Sequence, residues 1–588
     1  MAGNELFGWA RIVTELPRVY YERQRNALRR MPWVDVLLVV GVSGLVLGLI
    51  GLVGEVAGPS RPSVQIDLSP WALPTYAFYS LARGLVAFGL SIAFTLAYGY
   101  WAARDRAAER LLVPLLDILQ SIPVLGFMPG IVLALVALFP GANVGLELAA
   151  VIMIFTGQVW NMAFSFYHSL RSIPQDLREC AAVYRLNWWQ RFRWVEVPFS
   201  MVGLVWNGMM SMAGGWFFLM ISEAFVLGDR DFRLPGIGAY MSVAVARGNV
   251  PAMLWAIVAM VLMIVVLDQL LWRPVVVWAQ KFRSEDVGPG QRMTSWLTEW
   301  LRRSGLLTAL FRLRQGRKRP STGNRDAGAR GSTEPRRVGL GHRVSVVLLG
   351  ALLVALLVGV VKLVHVLHDV RISQWAGITG AALVTLGRVL ASTALGTLWA
   401  LPAGLAIGLS PRLSRLLQPV VQVMASFPAP MLFPMVIAGL ALTGVSLGWG
   451  SIVLMLLGTQ WYILFNVVAG ATAIPGDLKE AAEVCRIRGW RRCRSLYLPA
   501  VFPYLVTGWV TAAGGAWNAS IVSEYVMYKG RTLVTWGLGA RISQAAAAAD
   551  FPQLAGSITV MALVVVLFNR LVWHRCYAIA EQHFSLSK

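Results

Sequence analysis

The stretch Glu480–Pro499, EAAEVCRIRGWRRCRSLYLP, and the stretch Glu179–Pro198, ECAAVYRLNWWQRFRWVEVP, share one pattern 301 positions apart. In each stretch the glutamate is followed after 10 positions by a tryptophan and after 19 positions by a proline. Both are rich in arginine and interrupt very apolar sequence, so composition alone does not explain their agreement. The chain is therefore predicted to be a duplication in which each copy carries the same charged loop.

The similarity of the two halves extends well beyond these loops. A shift of 305 positions aligns Arg83 with Arg388 and Pro123 with Pro428, whereas a shift of 301 aligns Glu223 with Glu524, so the second copy is four residues shorter between these blocks. Each copy is expected to contain an even number of membrane spans, so both would enter and leave the membrane on the same side, as parallel repeats do.

The composition is that of a membrane protein. Of 588 residues, 57% are hydrophobic and 14% charged, and the mean hydropathy is +0.62. A helix that crosses a bilayer needs about 20 mostly apolar residues. The sequence therefore predicts an all-α polytopic membrane protein with two tandem parallel repeats of about six transmembrane helices each. The candidate spans are 33–53, 80–101, 124–139, 148–168, 199–221 and 252–272, then 344–367, 385–409, 431–442, 451–471, 500–522 and 557–573.

These spans define four regions: a tail over residues 1–32, a first transmembrane domain over 33–280, a basic linker over 281–343 and a second transmembrane domain over 344–588. In the linker, apolar residues from Met293 to Leu301 recur at helical spacing. They indicate an amphipathic helix on the membrane surface or, as an alternative, a docking surface for a partner.

The net charge of +23 comes mainly from basic clusters beside the apolar spans. Such clusters favour contact with anionic membrane lipid over nucleic acid. Because cytoplasmic loops carry an excess of Lys and Arg, both charged loops and both termini are predicted to face the cytoplasm. All four cysteines fall on that side, which predicts reduced thiols and no disulfide framework.

The second span of each copy has a small residue at every fourth position. Small side chains at this spacing allow close approach of helices in lipid, so we interpret them as a packing seam, although a Gly/Ala-rich span can show such spacing by chance. The residues are Ser91, Thr95, Gly99 and Ala103 in the first copy and Gly396, Ala400, Gly404 and Gly408 in the second.

The charged loops resemble those of the permease subunits of ATP-binding-cassette importers of the type I fold, whose pattern is Glu-Ala-Ala, three residues, Gly, nine residues and Ile-x-Leu-Pro. The stretches Thr385–Leu390 and Ala516–Ser520 resemble the duplicated permeases of the nitrate, sulfonate and taurine class, which transport anions. The resemblance implies a multi-pass permease of a bacterial-type cytoplasmic (inner) membrane. It also implies two cytoplasmic ATPase subunits and an extracytoplasmic solute-binding protein as partners. ATP and Mg would be bound by the ATPases, and the chain itself would hold no cofactor.

The same resemblance implies that the segments from Pro174 to Pro198 and from Pro475 to Pro499 dock into the ATPases. We expect each motif glutamate to lie early in a short helix, arginines to bind partner carboxylates or carbonyls and a tryptophan to anchor the interface. Arginine replaces the family's glycine at two positions, and because arginine adopts positive φ only at a cost, the sequence leaves the turn geometry open. The predicted ATPase-coupling residues are Glu179, Ala181, Ala182, Arg185, Trp189 and Pro198, and Glu480, Ala481, Ala482, Arg486, Trp490, Arg491, Arg492 and Pro499.

A second set of polar residues lies near the predicted outer ends of the spans. These residues would line a translocation route or receive a solute-binding protein; the alternative is that they form salt bridges or cap helices. They are Arg83, Ser222, Glu223, Arg388, Ser523 and Glu524. The chain offers no converging set of metal ligands, so no metal site is predicted.

Two further classes of function remain as alternatives. The chain lacks the Gly-x-x-x-x-Gly-Lys-Ser/Thr phosphate loop, so an ATP-independent secondary transporter or channel is the first alternative. Its ionisable residues lie near span ends rather than deep in the helices, which weakens an ion-coupled mechanism. The second alternative is a membrane enzyme, for which no nucleophile or acid–base constellation is present.

Overall fold

The computed structural model describes scattered helical positions between 40 and 56 and residues 64–121, 123–140, 143–227, 230–282 and 338–584. The predicted tail, most of the first predicted span and the predicted amphipathic helix of the linker lie outside these residues. The chain divides into two compact units. The larger unit comprises Gly54–Val265 and Val338–Lys588, and the smaller comprises Met1–Val53 and Val266–Arg337.

The described residues are almost entirely helical, as predicted. In the first copy the helices and strands are α1 (Leu73–Arg104), α2 (Arg106–Ser121), α3 (Met128–Leu138), α4 (Val144–Arg171), α5 (Gln175–Val183), α6 (Trp188–Arg191), α7 (Val197–Ser222), β1 (Ala224–Leu227), β2 (Arg230–Arg233), α8 (Ile237–Ala246), α9 (Val250–Leu267) and α10 (Arg273–Ala279). Short 3-10 or π turns precede or extend these helices at Pro70–Ala72, Val124–Phe127, Phe192–Glu196, Asp268–Trp272 and Gln280–Phe282.

The second copy repeats this order. Its elements are α11 (Val338–His368), α12 (Ile372–Leu409), α13 (Pro411–Ser426), α14 (Phe433–Thr443), α15 (Leu447–Ala473), α16 (Gly476–Val484), α17 (Gly489–Arg492), α18 (Leu498–Ser523), β3 (Tyr525–Tyr528), β4 (Arg531–Val534), α19 (Leu538–Ala547), α20 (Phe551–Phe568) and α21 (His574–Phe584). Its 3-10 and π turns are Ala429–Leu432, Cys493–Tyr497 and Asn569–Trp573.

Nine helices of the described part are long and apolar enough to cross a membrane, or eleven if each of two bent helix pairs counts as one span. The predictions of single spans at 124–139 and 431–442 are wrong in detail. Helices α3 and α14 each have 11 residues, too few for a bilayer. Each follows an amphipathic helix after a bend of 87° or 84°. Pro123 in the first copy and Pro428 in the second lie at the bend. Proline has no amide hydrogen to donate, so it interrupts the hydrogen bonds of a continuous helix.

Two short antiparallel hairpins interrupt the helical fold, β1–β2 and β3–β4. Each follows the long helix that ends at Ser222 or Ser523. In the second hairpin, Lys529 and Gly530 both have positive φ, at 48° and 70°, as a two-residue type I′ turn requires. Sequence analysis did not predict these hairpins.

The packing seam on the second predicted span of each copy is confirmed. Helix α1 packs on α4 and helix α12 on α15 through the small residues. A β-carbon at Gly99 would lie 2.8 Å from the Phe166 ring, and one at Gly404 would lie 2.6 Å from Val467 Cγ1. Real carbon atoms do not approach this closely, so glycine is needed at both positions.

The core of the larger unit contains side chains from both copies. One cluster of buried residues includes Met128, Val132 and Met153 from the first copy and Ile378, Trp517 and Leu538 from the second. The two copies of the repeat are therefore packed together through a shared hydrophobic core.

Candidate functional site

The two charged loops fold in the same way. After Pro174 and Pro475, each chain segment forms a nine-residue helix, α5 or α16. A turn and a four-residue helix, α6 or α17, follow. This short helix continues through a π-helical turn into a long membrane helix, α7 or α18, with Pro198 or Pro499 in its first turn. Proline has no amide hydrogen for the helical hydrogen bond, and it lies directly after the π-helical turn, where the regular hydrogen-bond pattern already changes. We name the segments 174–198 and 475–499 loop 1 and loop 2.

The turn that the sequence left open adopts the left-handed conformation with arginine in place of glycine. Arg185 has φ 48° and Arg486 has φ 53°. The Arg185 amide donates to Ala182 O and the Leu186 amide to Ala181 O, both at 3.0 Å. These two bonds define a Schellman motif, which closes the carboxyl end of a helix. Loop 2 has the same pair of bonds one repeat later, so the turn geometry survives the replacement of glycine.

The motif glutamates and tryptophans of both loops are solvent-exposed. Glu179 and Glu480 are exposed, and Trp189 and Trp490 have exposed fractions of 51% and 72%. The prediction that each glutamate lies early in its helix is wrong: Glu179 is the fifth of nine residues, and Asp176 and Asp477 occupy the first turns instead. The glutamates are therefore on the outer surface of the loop helices rather than at their amino ends.

The alanines of the motif divide into packed and exposed positions. Ala181 and Ala482 are buried, with exposed fractions of 4% and 6%, whereas Ala182 and Ala481 are exposed. Because a small side chain at the packed position lets the loop helix lie close to the membrane helices, this alanine serves the fold of the loop.

Two neighbouring arginines of loop 2, Arg491 and Arg492, differ in what they contact. Arg492 donates to Glu483 Oε1 at 3.2 Å and to Lys479 O at 3.0 Å, and its guanidinium lies 5.4 Å from the centre of the Tyr497 ring. Arg492 therefore holds loop 2 together. Arg491 is exposed and leaves its guanidinium available to a partner.

Loop 1 has an ionic connection to helix α1 that loop 2 lacks. Glu196 is buried and binds both Arg104 of α1 and Arg191 of the loop, the latter at 2.8 Å. At the equivalent places in the second copy the chain has Leu409 and Tyr497. The two loops thus have the same backbone fold, but only loop 1 has ion pairs through a glutamate at this position.

The predicted pathway residues of the first copy form a buried ion network. Arg83, whose side chain is 2% exposed, donates from Nε and Nη2 to both Glu147 oxygens at 2.6 and 2.7 Å. Its Nη1 donates to Glu223 Oε1 at 2.8 Å and to Pro235 O at 2.7 Å. Glu223 also accepts from Ser80 Oγ at 2.7 Å and from the Gly238 amide at 2.7 Å. The network therefore ties helices α1, α4 and α7 to the segment before α8.

The second copy contains a smaller version of this network. Arg388 donates to Glu524 Oε1 at 2.8 Å and to Thr535 Oγ1 at 3.0 Å. Gly448 stands where Glu147 stands in the first copy at a shift of 301, and a β-carbon there would lie 3.4 Å from Arg388 Nη2. The first network consequently combines one arginine with two carboxylates, and the second combines one arginine with one.

A Gly-x-Gly segment in each copy, 236–238 or 537–539, passes close to the carboxylate of Glu223 or Glu524. A β-carbon at Gly236 would lie 2.2 Å from Glu223 Oε2, and one at Gly537 would lie 2.2 Å from Glu524 Oε2. Only a residue without a side chain lets the backbone pass so close to the carboxylate. Ser222 and Ser523 are also buried, and Ser222 Oγ donates to Leu219 O at 3.1 Å.

A central cavity of about 160 Å³ lies between the two copies. Equivalent positions of the repeat contribute to its wall, including Gly157 with Gly458 and Asn161 with Tyr462. None of the six predicted pathway residues lines this cavity in the conformation described. They are placed instead in the buried networks, and a role in the pathway stays a prediction.

Sequence reasoning missed three residues of these sites: Glu147, Glu196 and Tyr462. Glu147 was the only acidic residue in the apolar stretch 143–157, a signal that a buried partner for Arg83 was present. Glu196 lies in the position before the motif's penultimate residue, where the family pattern carries no restriction. Tyr462 differs from its repeat equivalent, Asn161, so repetition between the two copies gives no signal for it.

The comparisons with known proteins fit this arrangement. The sequence profile of the family described as "Binding-protein-dependent transport system inner membrane component" matches residues 89–271 and again residues 395–574. The bicarbonate transport system permease protein CmpB of Synechocystis sp. is 28% identical over 152 residues, which cover 26% of this chain and 52% of that protein.

Two further relatives carry other solute names. The nitrate import permease protein NrtB of Synechococcus elongatus is 26% identical over 148 residues, covering 25% of this chain and 52% of that protein. The putative aliphatic sulfonates transport permease protein SsuC of Bacillus subtilis is 23% identical over 217 residues, covering 35% of this chain and 76% of that protein. The chain thus matches about half the length of the bicarbonate and nitrate relatives.

Proposed function

Because the chain belongs to the family of binding-protein-dependent transport system inner membrane components, we propose that it is the membrane-spanning permease of an ATP-binding-cassette importer for a small anion. Bicarbonate, nitrate and sulfonates, the solutes in the names of its relatives, are all anions. In this proposal the two tandem copies together build the translocation pathway that two separate permease subunits would otherwise build.

The observation that carries the proposal is the pair of matching loops. Two surfaces with the same helix, the same left-handed turn and an exposed tryptophan are presented 301 positions apart. An exposed tryptophan at the same place in both copies is typical of an interface anchor. One ATPase subunit for each loop is the simplest arrangement that uses both surfaces, and ATP and Mg would be bound by those subunits rather than by this chain.

The excess of basic residues near the loops supports a cytoplasmic position for them and for both termini. In a bacterial-type inner membrane this orientation places the hairpins β1–β2 and β3–β4 on the opposite side, where a solute-binding protein would arrive. The central cavity supports a route between the two copies, because it is bounded by helices of both.

Co-purification tests the proposal. Each importer-type ATPase of the same genome is co-expressed with the tagged chain, and we expect one of them to purify with it. Replacing Trp189 and Trp490 together by alanine removes the largest apolar side chains of the loop surfaces, so the ATPase is expected to be lost. The matched control replaces Trp71 and Trp449, which are 90% and 72% exposed and lie outside the loops.

Reconstitution into proteoliposomes with the ATPase then gives the functional outcome. ATP-dependent uptake of a labelled anion, delivered by the cognate binding protein, supports an importer. Robust transport by the chain alone without ATP would establish the alternative of a secondary transporter or channel. Equal loss of the ATPase in the loop variant and in the control variant would remove the loops as the docking surface.

A further inference from the structure

The central cavity between the two copies has no fixed charge. Among its lining residues in the described part of the chain there is no Lys, Arg, His, Asp or Glu. Arg83, which is buried, and Arg388, which is partly buried, already bind Glu147, Glu223 and Glu524. A solute in the cavity is therefore surrounded by neutral groups only.

Free hydrogen-bond donors remain on the cavity wall. The indole N–H of Trp160 is buried and has no partner among the described residues, and an indole nitrogen can only donate. The Asn161 amide and the Tyr462 hydroxyl also make no hydrogen bond within the described ranges. An unpaired buried donor costs about 1–3 kcal/mol, so a solute with acceptor atoms would gain by pairing with it.

Most of the other polar side chains of the wall already have hydrogen-bond partners. The hydroxyls of Thr156 and Thr459 donate to the carbonyls of Met153 and Met455 at 2.8 and 3.0 Å. Asn518 accepts from the Val124 amide at 2.9 Å. Gln120 Oε1 is an unpaired acceptor, and rotation of its amide exchanges this oxygen for the donor nitrogen. The wall thus offers mainly donors and no carboxylate for a cationic solute.

The magnitude of solute charge then decides selectivity. The Born cost of moving an ion out of water rises with the square of its charge, so a dianion loses about four times as much hydration free energy as a monoanion of the same size. Neutral donors return part of this loss but supply no compensating charge. A cavity of about 160 Å³ is well above the roughly 10–15 Å³ that one water requires on the same measure, which leaves room for a small oxyanion with some of its water.

We propose that the cavity is a binding site for small singly charged oxyanions, held by the neutral donors of Trp160, Asn161 and Tyr462, and that it discriminates against dianions. This inference rests on the proposed function for the identity of the cavity as part of the transport route. It adds the charge class of the solute and the residues that recognise it. Weak binding suits such a site, since a solute must leave it as readily as it enters.

Direct binding tests the inference without an ATPase or a solute-binding protein. The full chain in nanodiscs of zwitterionic lipid is assayed by scintillation proximity with ¹⁴C-bicarbonate and with ³⁵S-sulfate at pH 8 and constant ionic strength. We expect bicarbonate, displaced by unlabelled nitrate, to bind at least tenfold more tightly than sulfate. Sulfate binding as tight as bicarbonate binding would overturn the inference.

Two matched substitutions locate the site. Trp160→Phe keeps the ring and removes the N–H, and we expect it to weaken bicarbonate binding about tenfold. Trp461→Phe makes the same change at the equivalent position of the second copy, which does not line the cavity, and binding should be unchanged. Equal effects of the two substitutions would show that the donor of Trp160 does not bind the solute.

A gain of function completes the test. Ala425 lines the cavity at the repeat position of Gln120, and Ala425→Lys places a positive charge there. We expect the preference for bicarbonate over sulfate to fall at least fivefold, and an unchanged preference in a protein that elutes as wild type on size exclusion would contradict the charge argument. Failure of the proposed function is separate, because it would appear as absence of an ATPase partner while these binding results stand.

Discussion

Replacing Arg83 by methionine is expected to be far more damaging than replacing either of its partners. Arg83 binds two carboxylates in a site where its side chain is 2% exposed and those of Glu147 and Glu223 are 8% and 0% exposed. Methionine fills similar volume but leaves both carboxylates without their cation. Removal of one partner from a buried ion pair typically costs about 3–5 kcal/mol.

The two carboxylates keep different numbers of hydrogen bonds when Arg83 is replaced. Glu223 retains the Ser80 hydroxyl and the Gly238 amide as donors, whereas within the described residues the Glu147 side chain has hydrogen bonds to Arg83 only. Glu147→Gln alone leaves Arg83 paired with Glu223 and should cost about 1 kcal/mol, the value of one hydrogen bond. The double variant Arg83→Met/Glu147→Gln has no unpaired charge at position 147. We therefore expect its free energy of unfolding to be about 2 kcal/mol higher than that of Arg83→Met.

The measurement is the unfolding of purified protein in mixed dodecyl maltoside and dodecyl sulfate micelles, followed by tryptophan fluorescence. The expected order of midpoints is wild type, Glu147→Gln, the double variant and then Arg83→Met. Arg388→Met is the matched variant in the second copy and should lie above Arg83→Met, because it strands one carboxylate that keeps Thr385 and two backbone amides as donors. A double variant no more stable than Arg83→Met would refute the reasoning.

Three further outcomes follow from the described geometry. Arg185→Gly and Arg486→Gly should each stabilise the protein by up to about 1 kcal/mol, because glycine adopts positive φ without the Cβ clash; a lower unfolding midpoint for both would contradict the strain argument. Gly404→Leu should prevent close packing with Val467 and lower the midpoint strongly, while Gly387→Leu on the same helix, where a β-carbon meets nothing within 4 Å, should not. Cys180, which is free and exposed, should react with an impermeant maleimide in inside-out vesicles and not in right-side-out vesicles, and the reverse result would invert the predicted orientation.

The sequence was sufficient for features that recur in both copies. Repeats at 301 and 305 positions located the loops, Arg83 and Arg388 together with Glu223 and Glu524, and the small-residue seam. Repetition works as a signal because two copies under the same packing constraints retain the same side chains. The all-helical membrane fold followed from composition and span length. Here the physical reason is the cost of unpaired backbone groups in lipid, which only helices and closed barrels avoid.

The sequence did not reveal features that differ between the copies. The alignment of Glu147 with Gly448 depends on where the four-residue gap between the two copies is placed. This gap falls between Pro129 and Gly157. Hydropathy averaged over a window does not detect the sharp bends before α3 and α14, because a bend does not change the composition of the window. The left-handed arginines also escaped prediction, because the two hydrogen bonds of each Schellman turn offset a conformational cost that a single-residue preference overestimates.

The wall of the central cavity differs between its two halves, and this would affect how a solute bound there, as proposed, is held. In an assembly of two identical subunits, anything on the rotation axis meets each side chain twice and can bind in two degenerate orientations. Joining the halves in one polypeptide lifts this restriction, so that asparagine at position 161 and tyrosine at position 462 occupy corresponding places. A solute bound on the axis, as proposed for this cavity, would then have one preferred pose, and each half could acquire substitutions that a homodimer would have to accept in duplicate.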